Sequence, residues 1–318
     1  MSGGPNARVR ALAPAKINPR LEILGRRADG YHEIRTWMLA IDLYDELEVQ
    51  RTTSGAVHLA TSGPQKSADI PDDRTNLAAR AAELALAAAR QHGLADANTG
   101  VQLALVKHIP SQSGLGGASS DAAAAWLATC AALGFEPSLA LTRASLAALG
   151  SDTVFFAVAA ETGAALCEGR GEIVTAEPSP AQGSIALLTP SVSCPTSLVY
   201  AALGIPLRAP ASLPTLQTEW STLSALSSRD FLANRLEPAA LAAVPGLRAW
   251  RRLLDDVGCA HFRLTGSGSS FFGLFDTDEA AEAALASLER AAGAAALVPR
   301  LARVVHPARH GARLVRDC

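Results

Sequence analysis

The segment from Pro110 to Asp121 contains the residues whose types and spacing point most directly to chemistry. It reads Pro-Ser-Gln-Ser-Gly-Leu-Gly-Gly-Ala-Ser-Ser-Asp and leads into an alanine-rich stretch. Glycines let backbone N–H groups turn toward a ligand, and the N-terminus of a following helix adds positive potential. The segment therefore predicts a site for phosphate groups. A flexible turn in which Ser120 or Asp121 caps the helix is the simpler alternative.

Two common phosphate-binding patterns do not fit this loop. It is not a Walker A loop, because no Gly-Lys-Ser/Thr ends it, and it lacks the spacing of the G-x-G-x-x-G fingerprint. A strand is predicted from Val101 to Val106 before the loop, and a helix from near Asp121 to near Gly134 after it. Strand, glycine loop and helix follow one another as in a phosphate site.

The other elements must position this loop. Strands and turns are expected from Val9 to Val49, with a turn at Ala28-Asp29-Gly30, and Asn76 is expected to cap a helix from Leu77 to about Gln91. Further elements are predicted as follows: helices at 139–149, from Trp220 to Leu236 and at 279–292; strands at 185–188 and on both sides of Gly266-Ser-Gly268; an apolar element at 152–158; and a turn at 168–172. Strands mixed with helices, without strict alternation, favour an α+β class.

The length of the chain predicts two domains. It has 318 residues, whereas one core typically supports about 100 to 200. The proline, serine and glycine cluster at 178–184 predicts a linker, which gives domains at 1–180 and 181–318.

Charge and cysteine usage limit the partners. A net charge of −2, with acids and bases interspersed, argues against nucleic acid. The five cysteines are far apart and form no C-x-x-C pair, so neither a disulfide framework nor a zinc site is expected. No signal-peptide core or apolar stretch of membrane-spanning length is present. We expect a cytoplasmic protein with no membrane partner, and the sequence does not indicate its oligomeric state.

A run of basic residues near the C-terminus allows two interpretations. The run comprises Arg300, Arg303, His306, Arg309, His310, Arg313 and Arg316. These side chains could clamp phosphates, but a solvated strand end and tail is the favoured interpretation.

Three segments together resemble the GHMP kinases, a superfamily named for galactokinase, homoserine kinase, mevalonate kinase and phosphomevalonate kinase. Pro-x-x-x-Gly-Leu-Gly-x-x-Ser-Ser at 110–120 is similar to their phosphate loop, Ala13-Pro-Ala-Lys-Ile-Asn18 to their first motif, and Leu264-Thr-Gly-Ser-Gly-Ser-Ser270 to their third. The resemblance implies a two-domain α+β fold, with an N-terminal domain like domain 2 of ribosomal protein S5 and a C-terminal ferredoxin-like domain. It also implies transfer of phosphate from ATP, with Mg²⁺, to a small alcohol.

Further segments narrow the resemblance to the diphosphocytidyl-methylerythritol kinases of the non-mevalonate isoprenoid pathway. The segments are Gly25 to Glu33, which includes Asp29-Gly-Tyr-His32, together with Gly150 to Phe156 and Asn234 to Pro238. The resemblance covers roughly residues 11 to 306 and implies a cytidine-diphosphate-linked methylerythritol as substrate, phosphorylated on its 2-hydroxyl.

The resemblance implies roles for individual residues. Asp152 is expected to accept or orient the hydroxyl proton, while Lys16 keeps Asp152 ionised and helps to neutralise the transferring phosphoryl group. Without the motifs, Asp152 would be interpreted as a helix cap and Lys16 as a surface charge.

The implied binding residues fall into three groups. The ATP group comprises Asn76, Lys107 and the loop residues Pro110, Ser111, Gln112, Ser113, Gly114, Leu115, Gly116, Gly117, Ala118, Ser119 and Ser120. The substrate group comprises Asn18, Tyr31, His32, Gly266, Ser267 and Gly268, of which Tyr31 and His32 would recognise cytidine. Contacts to Mg²⁺ are expected near Ser119, Ser120 and Asp121, without a fixed ligand set.

Several positions depart from the pattern. Pro19 and Arg20 replace apolar residues, Ala118 replaces glycine, Val154 replaces proline, and Arg235 replaces aspartate. Another GHMP kinase acting on mevalonate, homoserine or a sugar is one alternative, and a non-catalytic nucleotide-binding relative is another. An unrelated anion-binding protein with one glycine loop would leave the other motifs unexplained.

Overall fold

The computed structural model describes residues 8–180, 182–205 and 231–315. The strands in these ranges are β1 (Arg8–Arg26), β2 (His32–Thr52), β3 (Val57–Ser62), β4 (Gly100–Val106), β5 (Gly163–Gly169), β6 (Ile173–Pro178), β7 (Ser184–Pro190), β8 (Ala233–Asn234), β9 (Arg263–Leu264), β10 (Phe271–Phe275), β11 (Pro299–Val305) and β12 (Arg313–Val315). The helices are α1 (Leu77–Gln91), α2 (Gly117–Ala132), α3 (Leu139–Ala147), α4 (Thr153–Val158), α5 (Thr196–Ala202), α6 (Glu237–Ala243), α7 (Pro245–Asp256) and α8 (Asp278–Ala294). No helix in the described part of the chain is long and apolar enough to span a membrane.

An eight-stranded sheet is built around the long antiparallel hairpin of β1 and β2. The predicted turn at Ala28-Asp29-Gly30 joins the two strands and is confirmed. The sheet runs in the order β12-β1-β2-β4-β3, while β5 and β6 extend from β2, and β8 pairs with β1 in parallel. Because β1 lies at the centre of this arrangement, residues of its middle section are held by several neighbouring strands.

A β-bulge in β1 re-aims the residues that follow Lys16. Ile17 pairs with Leu39 and Arg20 with Trp37, so the two intervening residues, Asn18 and Pro19, lie opposite a single residue of β2. A bulge bends the strand and can contain a proline, because its extra residue is not needed for the hydrogen-bond ladder. The departure at Pro19 therefore fits the local backbone.

Helices α1 and α2 pack together over this sheet through small side chains. Alanines such as Ala82 in α1 and Ala125 in α2 are fully buried in one core with Leu103 of β4. Small side chains at the contact allow helices to approach closely. Trp126 supplies the bulk in this core, and its ring N–H donates a hydrogen bond to the hydroxyl of Thr142 at 3.3 Å.

A second, four-stranded antiparallel sheet has the order β11-β7-β10-β9. Along the chain its elements run β7, helices α5 to α7, β9, β10, α8 and β11, which is the βαββαβ pattern of ferredoxin-like domains. The predicted strand pair around Gly266-Ser-Gly268 is confirmed as β9 and β10. This sheet begins at Ser184, the last residue of the predicted linker, whereas β8 and β12 join the first sheet. The division at residue 180 stays a prediction.

Two predicted helix positions are corrected. Helix α2 begins at Gly117, not near Asp121, because Gly116 is the N-cap and its carbonyl already accepts the N–H of Ser120 at 2.9 Å. The glycines that suggested a turn also adopt helical geometry readily. The helix predicted from Trp220 to Leu236 lies mainly outside the described residues. In its described end, Ala233–Asn234 form β8, because backbone pairing with β1 overrides local propensity.

His306, directly after β11, links the two sheets. Its Nδ1 lies 3.0 Å from the carboxylate of Asp42 in β2, and its Nε2 lies 2.8 Å from the carboxylate of Asp278 at the start of α8. Both nitrogens can donate only when the ring is protonated. Accordingly, the hydrogen bond to Asp278, followed by the effects of Asp42, raises the pKa of His306.

The stability contributed by His306 should depend on pH. A raised folded-state pKa stabilises the fold fully below the unfolded histidine value of about 6.5, and this contribution is lost as pH rises through the folded-state value. The melting temperature of the parent should therefore exceed that of His306→Gln most clearly at acidic pH, with the gap closing toward alkaline pH. His58→Gln, at an exposed position of β3, serves as the control. A gap that did not change with pH would contradict the ion pairs.

Candidate functional site

Lys16, in the middle of β1, carries a buried ammonium group surrounded by oxygen atoms. Its side chain is only 4% exposed, and Nζ donates to Asn18 Oδ1 at 2.6 Å and to the carbonyl oxygen of Gly114 at 2.8 Å. Asp152 Oδ2 lies 3.5 Å from the same nitrogen. Asp152 precedes α4 but makes no side-chain capping bond. Lys16 is therefore not a surface charge. The carboxylate of Asp152 faces Lys16, whereas the side chain of a helix cap would bond to the backbone N–H groups of α4.

The glycine loop runs from Pro110 to Gly116 and continues directly into the first turn of α2. Gly114 and Gly116 have φ angles of +78° and +73°, a conformation that favours glycine. The first N–H groups of a helix have no partner within it. Gly117, Ala118 and Ser119 therefore present such groups at the cleft that they line, next to the positive end of the helix.

The third glycine-rich segment lies directly against the loop. A methyl group added at Gly114 would lie 2.2 Å from the carbonyl oxygen of Thr265, and one at Gly266 would lie 3.2 Å from Lys16 Nζ. Ser270 also donates its N–H to the carbonyl of Ser113 at 2.9 Å. The three motifs that are distant in sequence thus converge around one ammonium group.

Asn234 supports this third segment from behind. Its Nδ2 donates to the carbonyls of Leu264 and Gly266 at 2.7 and 2.8 Å, while its Oδ1 accepts the N–H of Leu236 at 2.9 Å. The neighbouring Arg235 has an exposed side chain and uses its backbone N–H to contact Leu21. The arginine at this position is therefore compatible with the structural role of the segment.

Lys107 lies in a buried ion cluster beside the loop. Its ammonium group bonds to Asp45 and Asp121, and Asp45 also accepts the N–H of Ile109 at 2.8 Å. Burial lowers the pKa of Lys107, but the two carboxylates outweigh burial and leave it raised. Burial raises the pKa of Asp121 to about 8, against the attraction of Lys107. The cluster fixes the start of the glycine loop through Asp45.

Aromatic and basic side chains form one end of the cleft. The rings of His32 and Tyr200 lie 5.1 Å apart, and the guanidinium carbon of Arg170 lies 4.7 Å from the centre of the Tyr31 ring. Burial and, secondly, the charge of Arg26 lower the pKa of His32, so its ring is neutral near pH 7. Tyr31 is 54% exposed, which leaves ring surface accessible to a planar ligand.

Another part of the cleft is bordered by the segment before α1. Asn76 accepts the N–H of Ala78 at 2.9 Å as the predicted helix cap, and its Nδ2 donates to the carbonyl of Pro71 at 2.9 Å. Gln112 of the glycine loop donates to Asp69 at 3.0 Å. Asn76 therefore holds this segment against α1, while Gln112 connects it to the loop.

Arg300, the first residue of the basic C-terminal run, contacts the glycine loop. Its Nη1 donates to the carbonyl of Ser111 at 3.2 Å, and its Nε donates to Gln65 at 2.8 Å. Arg300 thus braces the loop backbone from β11, so the interpretation of the run as a solvated strand end does not hold for this residue. Arg316 lies outside the described residues.

One cleft of about 1220 Å³ brings most of the predicted site residues together. The lining contains Lys16, Asn18, Tyr31, His32, Asn76, Lys107, Asp121, Asp152, Gly266, Ser267 and loop residues 110–114 and 116–119. All of the predicted site residues lie in the described part of the chain, and three of them, Leu115, Ser120 and Gly268, do not line this cleft. Leu115 is fully buried and packs in the core beneath the loop.

Two departures from the family pattern are explained locally. Ala118 is the second residue of α2, and its φ angle is not positive. Its backbone therefore does not require glycine. Val154 is buried in the first turn of α4 and packs in the core of the first sheet.

Sequence reasoning did not identify Arg26, Asp69, Arg170 or Tyr200, which also line the cleft. Arg170 was visible only as part of a turn with glycine on either side. No sequence motif pointed to Tyr200, because only the tertiary packing of α5 brings its ring close to His32.

The fold and the residues that line this cleft are those of a small-molecule kinase. The model of the GHMP kinases N terminal domain matches residues 76–165, and that of the GHMP kinases C terminal region matches residues 216–295.

Relatives with known names cover almost the whole chain. A 4-diphosphocytidyl-2-C-methyl-D-erythritol kinase from Citrifermentans bemidjiense is 34% identical over 90% of this chain and 96% of its own length. The corresponding kinase from Cereibacter sphaeroides is 38% identical over 86% and 92%. A crystal structure of a 4-(cytidine 5'-diphospho)-2C-methyl-D-erythritol kinase matches 94% of this chain and all of its own, with a TM-score of 0.69 and 32% identity.

A more distant structure agrees in fold. Homoserine kinase from Cytophaga hutchinsonii has a TM-score of 0.71 at 19% identity and covers 99% of both chains. The chain belongs to the GHMP kinases and, within them, to the family of the 4-diphosphocytidyl-2-C-methyl-D-erythritol kinases. The predicted two-domain α+β fold and the predicted ATP-dependent kinase activity are therefore confirmed.

The close approach at Gly114 gives a matched test of the loop. Gly114→Ala combines a strained φ angle with a clash against Thr265, whereas Gly93→Ala has a similar φ of +72° but nothing within 4 Å of the added methyl. Both variants should lose about 1 to 2 kcal/mol of stability from the backbone conformation. Only Gly114→Ala should also weaken ATP binding, by about tenfold or more, as measured by calorimetry. Equal ATP affinities in the two variants would contradict a tightly packed phosphate loop.

Proposed function

We propose that the chain transfers the γ-phosphoryl group of ATP to the 2-hydroxyl of 4-diphosphocytidyl-2-C-methyl-D-erythritol. The relatives named for this reaction support the substrate. The observation that carries the proposal is the Lys16–Asp152 pair at 3.5 Å. This pair lines the same cleft as the glycine loop and the neighbouring rings of His32 and Tyr200. A phosphate donor, a reacting hydroxyl and a planar base can therefore occupy one cleft.

Asp152 is suited to handle the hydroxyl proton. Its side chain is 29% exposed and reaches the cleft, and its Oδ2 lies 3.5 Å from the ammonium nitrogen of Lys16. The carboxylate accepts or orients the proton of the 2-hydroxyl as the hydroxyl oxygen attacks the γ-phosphorus of ATP, whose bond to the bridging oxygen breaks so that ADP leaves. Because the transition state of phosphoryl transfer is loose, positioning of the hydroxyl is as important as removal of its proton.

Lys16 stabilises the charge that moves during transfer. Its ammonium group is fixed by Asn18 and by the loop carbonyl of Gly114, so it needs little reorganisation. The N–H groups at the start of α2 hold the triphosphate against this charge. Strand β1, through Lys16, and the start of α2 thus position the phosphate donor with little rearrangement of the protein.

Mg²⁺ fits the residues at the start of α2. Asp121 lines the cleft, and its Oδ1 atom is buried and lacks a hydrogen-bond partner among the described residues. Ser119 lines the cleft beside it. Carboxylate and hydroxyl oxygens beside substrate phosphates are the usual surroundings of this ion. When bound, it supplies charge neutralisation of the phosphate oxygens and favours the deprotonated form of Asp121.

The reducing, cytoplasmic location expected from the cysteines completes the proposal.

The activity is tested by measuring ATP consumption with a panel of alcohols. The panel contains 4-diphosphocytidyl-2-C-methyl-D-erythritol, mevalonate, homoserine and galactose, and phosphorylated products are identified by mass spectrometry. The cytidine-linked alcohol should give the highest kcat/KM. Preference for another alcohol would favour a different GHMP kinase, and turnover of none would favour a non-catalytic relative.

The role of Asp152 predicts a loss of turnover without a loss of ATP binding. Asp152→Asn keeps the shape of the side chain but removes its charge, so kcat should fall by roughly 10²- to 10⁴-fold. Lys16→Met should also lower kcat more than ATP affinity. Asp256→Asn, on an exposed position of α7, is the control. Parent-like turnover by a folded Asp152→Asn enzyme would remove Asp152 from the mechanism.

A further inference from the structure

The two ends of the proposed substrate must bind at separated places in the cleft. Under the proposed function, on which this inference rests, the 2-hydroxyl lies at Asp152 and the cytosine lies beside Tyr31 and His32. The diphosphate that joins the two parts of the substrate must therefore pass between these places. A diphosphate carries negative charge, which is stabilised in a cleft by a cation or by several N–H donors.

Arg170 lies between these two places. It occupies the turn that joins β5 to β6, and it lines the cleft. On one side, its guanidinium carbon lies 4.7 Å from the centre of the Tyr31 ring. On the other side, the next residue, Gly171, is so close to Asp152 that an added methyl would lie 3.6 Å from Oδ1. The same short turn thus contacts the base end and the reacting end.

The other cationic groups are less suited to this position. Lys16 is bound to Asp152, Asn18 and Gly114, and Lys107 is buried between two carboxylates. Arg26 lines the cleft at the end of β1, beside His32. Arg170 forms an ion pair with Glu172 through its Nε atom at 3.6 Å, and its two Nη groups provide further donors for an anion. Arg170 is therefore the cation best placed for a group that lies between Tyr31 and Asp152.

A guanidinium group can stack and bind an anion at the same time. Its flat face packs on an aromatic ring, while its N–H groups point outward in the plane and match two phosphate oxygens. We propose that Arg170 is a substrate-binding residue that holds the diphosphate of the cytidine substrate while its face lies on Tyr31. It thereby selects a diphosphate-linked cytidine over a cytidine without phosphates.

Binding of cytidine and of CDP separates the two contacts of Arg170. Dissociation constants are measured by calorimetry with the ATP site saturated by a non-hydrolysable ATP analogue and Mg²⁺. The parent should bind CDP more tightly than cytidine. Arg170→Gln should reduce that preference by about tenfold or more, because the charge-assisted bonds are lost. Arg170→Lys should retain part of it, because a point charge remains without the planar fork.

Two further variants serve as comparisons. Tyr31→Ala should weaken the binding of cytidine as well as of CDP, since both contain the base, whereas Arg170→Gln should weaken mainly CDP. Arg252→Gln removes an equal charge at an exposed position of α7 and should change neither constant. Thermal unfolding of each variant confirms that it is folded.

The outcomes distinguish this inference from the proposed function. If Arg170→Gln weakened cytidine and CDP equally, or changed neither, Arg170 would not bind the diphosphate and the inference would be wrong, while the kinase proposal would stand. If the parent bound neither cytidine nor CDP, the cytidine substrate itself would be wrong, and this inference would fail with it. A selective loss of CDP affinity supports both.

Discussion

The burial of one ammonium group, that of Lys16, is the constraint on which the site depends. A charged side chain with 4% exposure is stable only if oxygen atoms replace its water. Three separate segments supply them: Asn18 from the bulge of β1, the carbonyl of Gly114 from the glycine loop, and Asp152 from the start of α4. Each segment is thereby fixed relative to the others, so the requirement to solvate one cation also assembles the proposed catalytic site.

Close backbone packing is the second consequence of this arrangement. For the carbonyl of Gly114 to face Lys16, the loop must approach Thr265 so closely that no side chain fits at position 114. The segment around Thr265 is in turn held by Asn234, whose amide bonds to two of its carbonyls. Residues of the second half of the chain therefore set the shape of a phosphate loop in the first half. This coupling explains why the three motifs together indicate the site more specifically than any one of them does.

Much of the fold and of the candidate site could be predicted from local sequence. Helix α1 with its Asn76 cap, the turn at Asp29-Gly30 and the strands around Gly266 follow from capping, turn chemistry and alternating patterns. The start of α2 could not be placed, because glycines permit both turn and helix. The end of the predicted Trp220–Leu236 helix became β8 because pairing with β1 is a long-range contact. Arg170 and Tyr200 were missed for the same reason: only tertiary packing brings them to Tyr31 and His32.

The charges in the cleft indicate how phosphate recognition is divided among the groups. Lys107 is committed to two carboxylates and Lys16 to one, so neither ammonium group is an uncompensated cation for the triphosphate. Under the proposed function, backbone N–H groups at the start of α2 and a bound divalent ion would therefore carry most of the ATP recognition, since both add positive potential where these side chains do not. Such a site binds the donor through fixed dipoles and leaves Lys16 to respond to charge that develops beside Asp152. In the proposed mechanism the lysine therefore contributes most in the transition state, which is the condition for raising kcat above what tighter ATP binding alone would give.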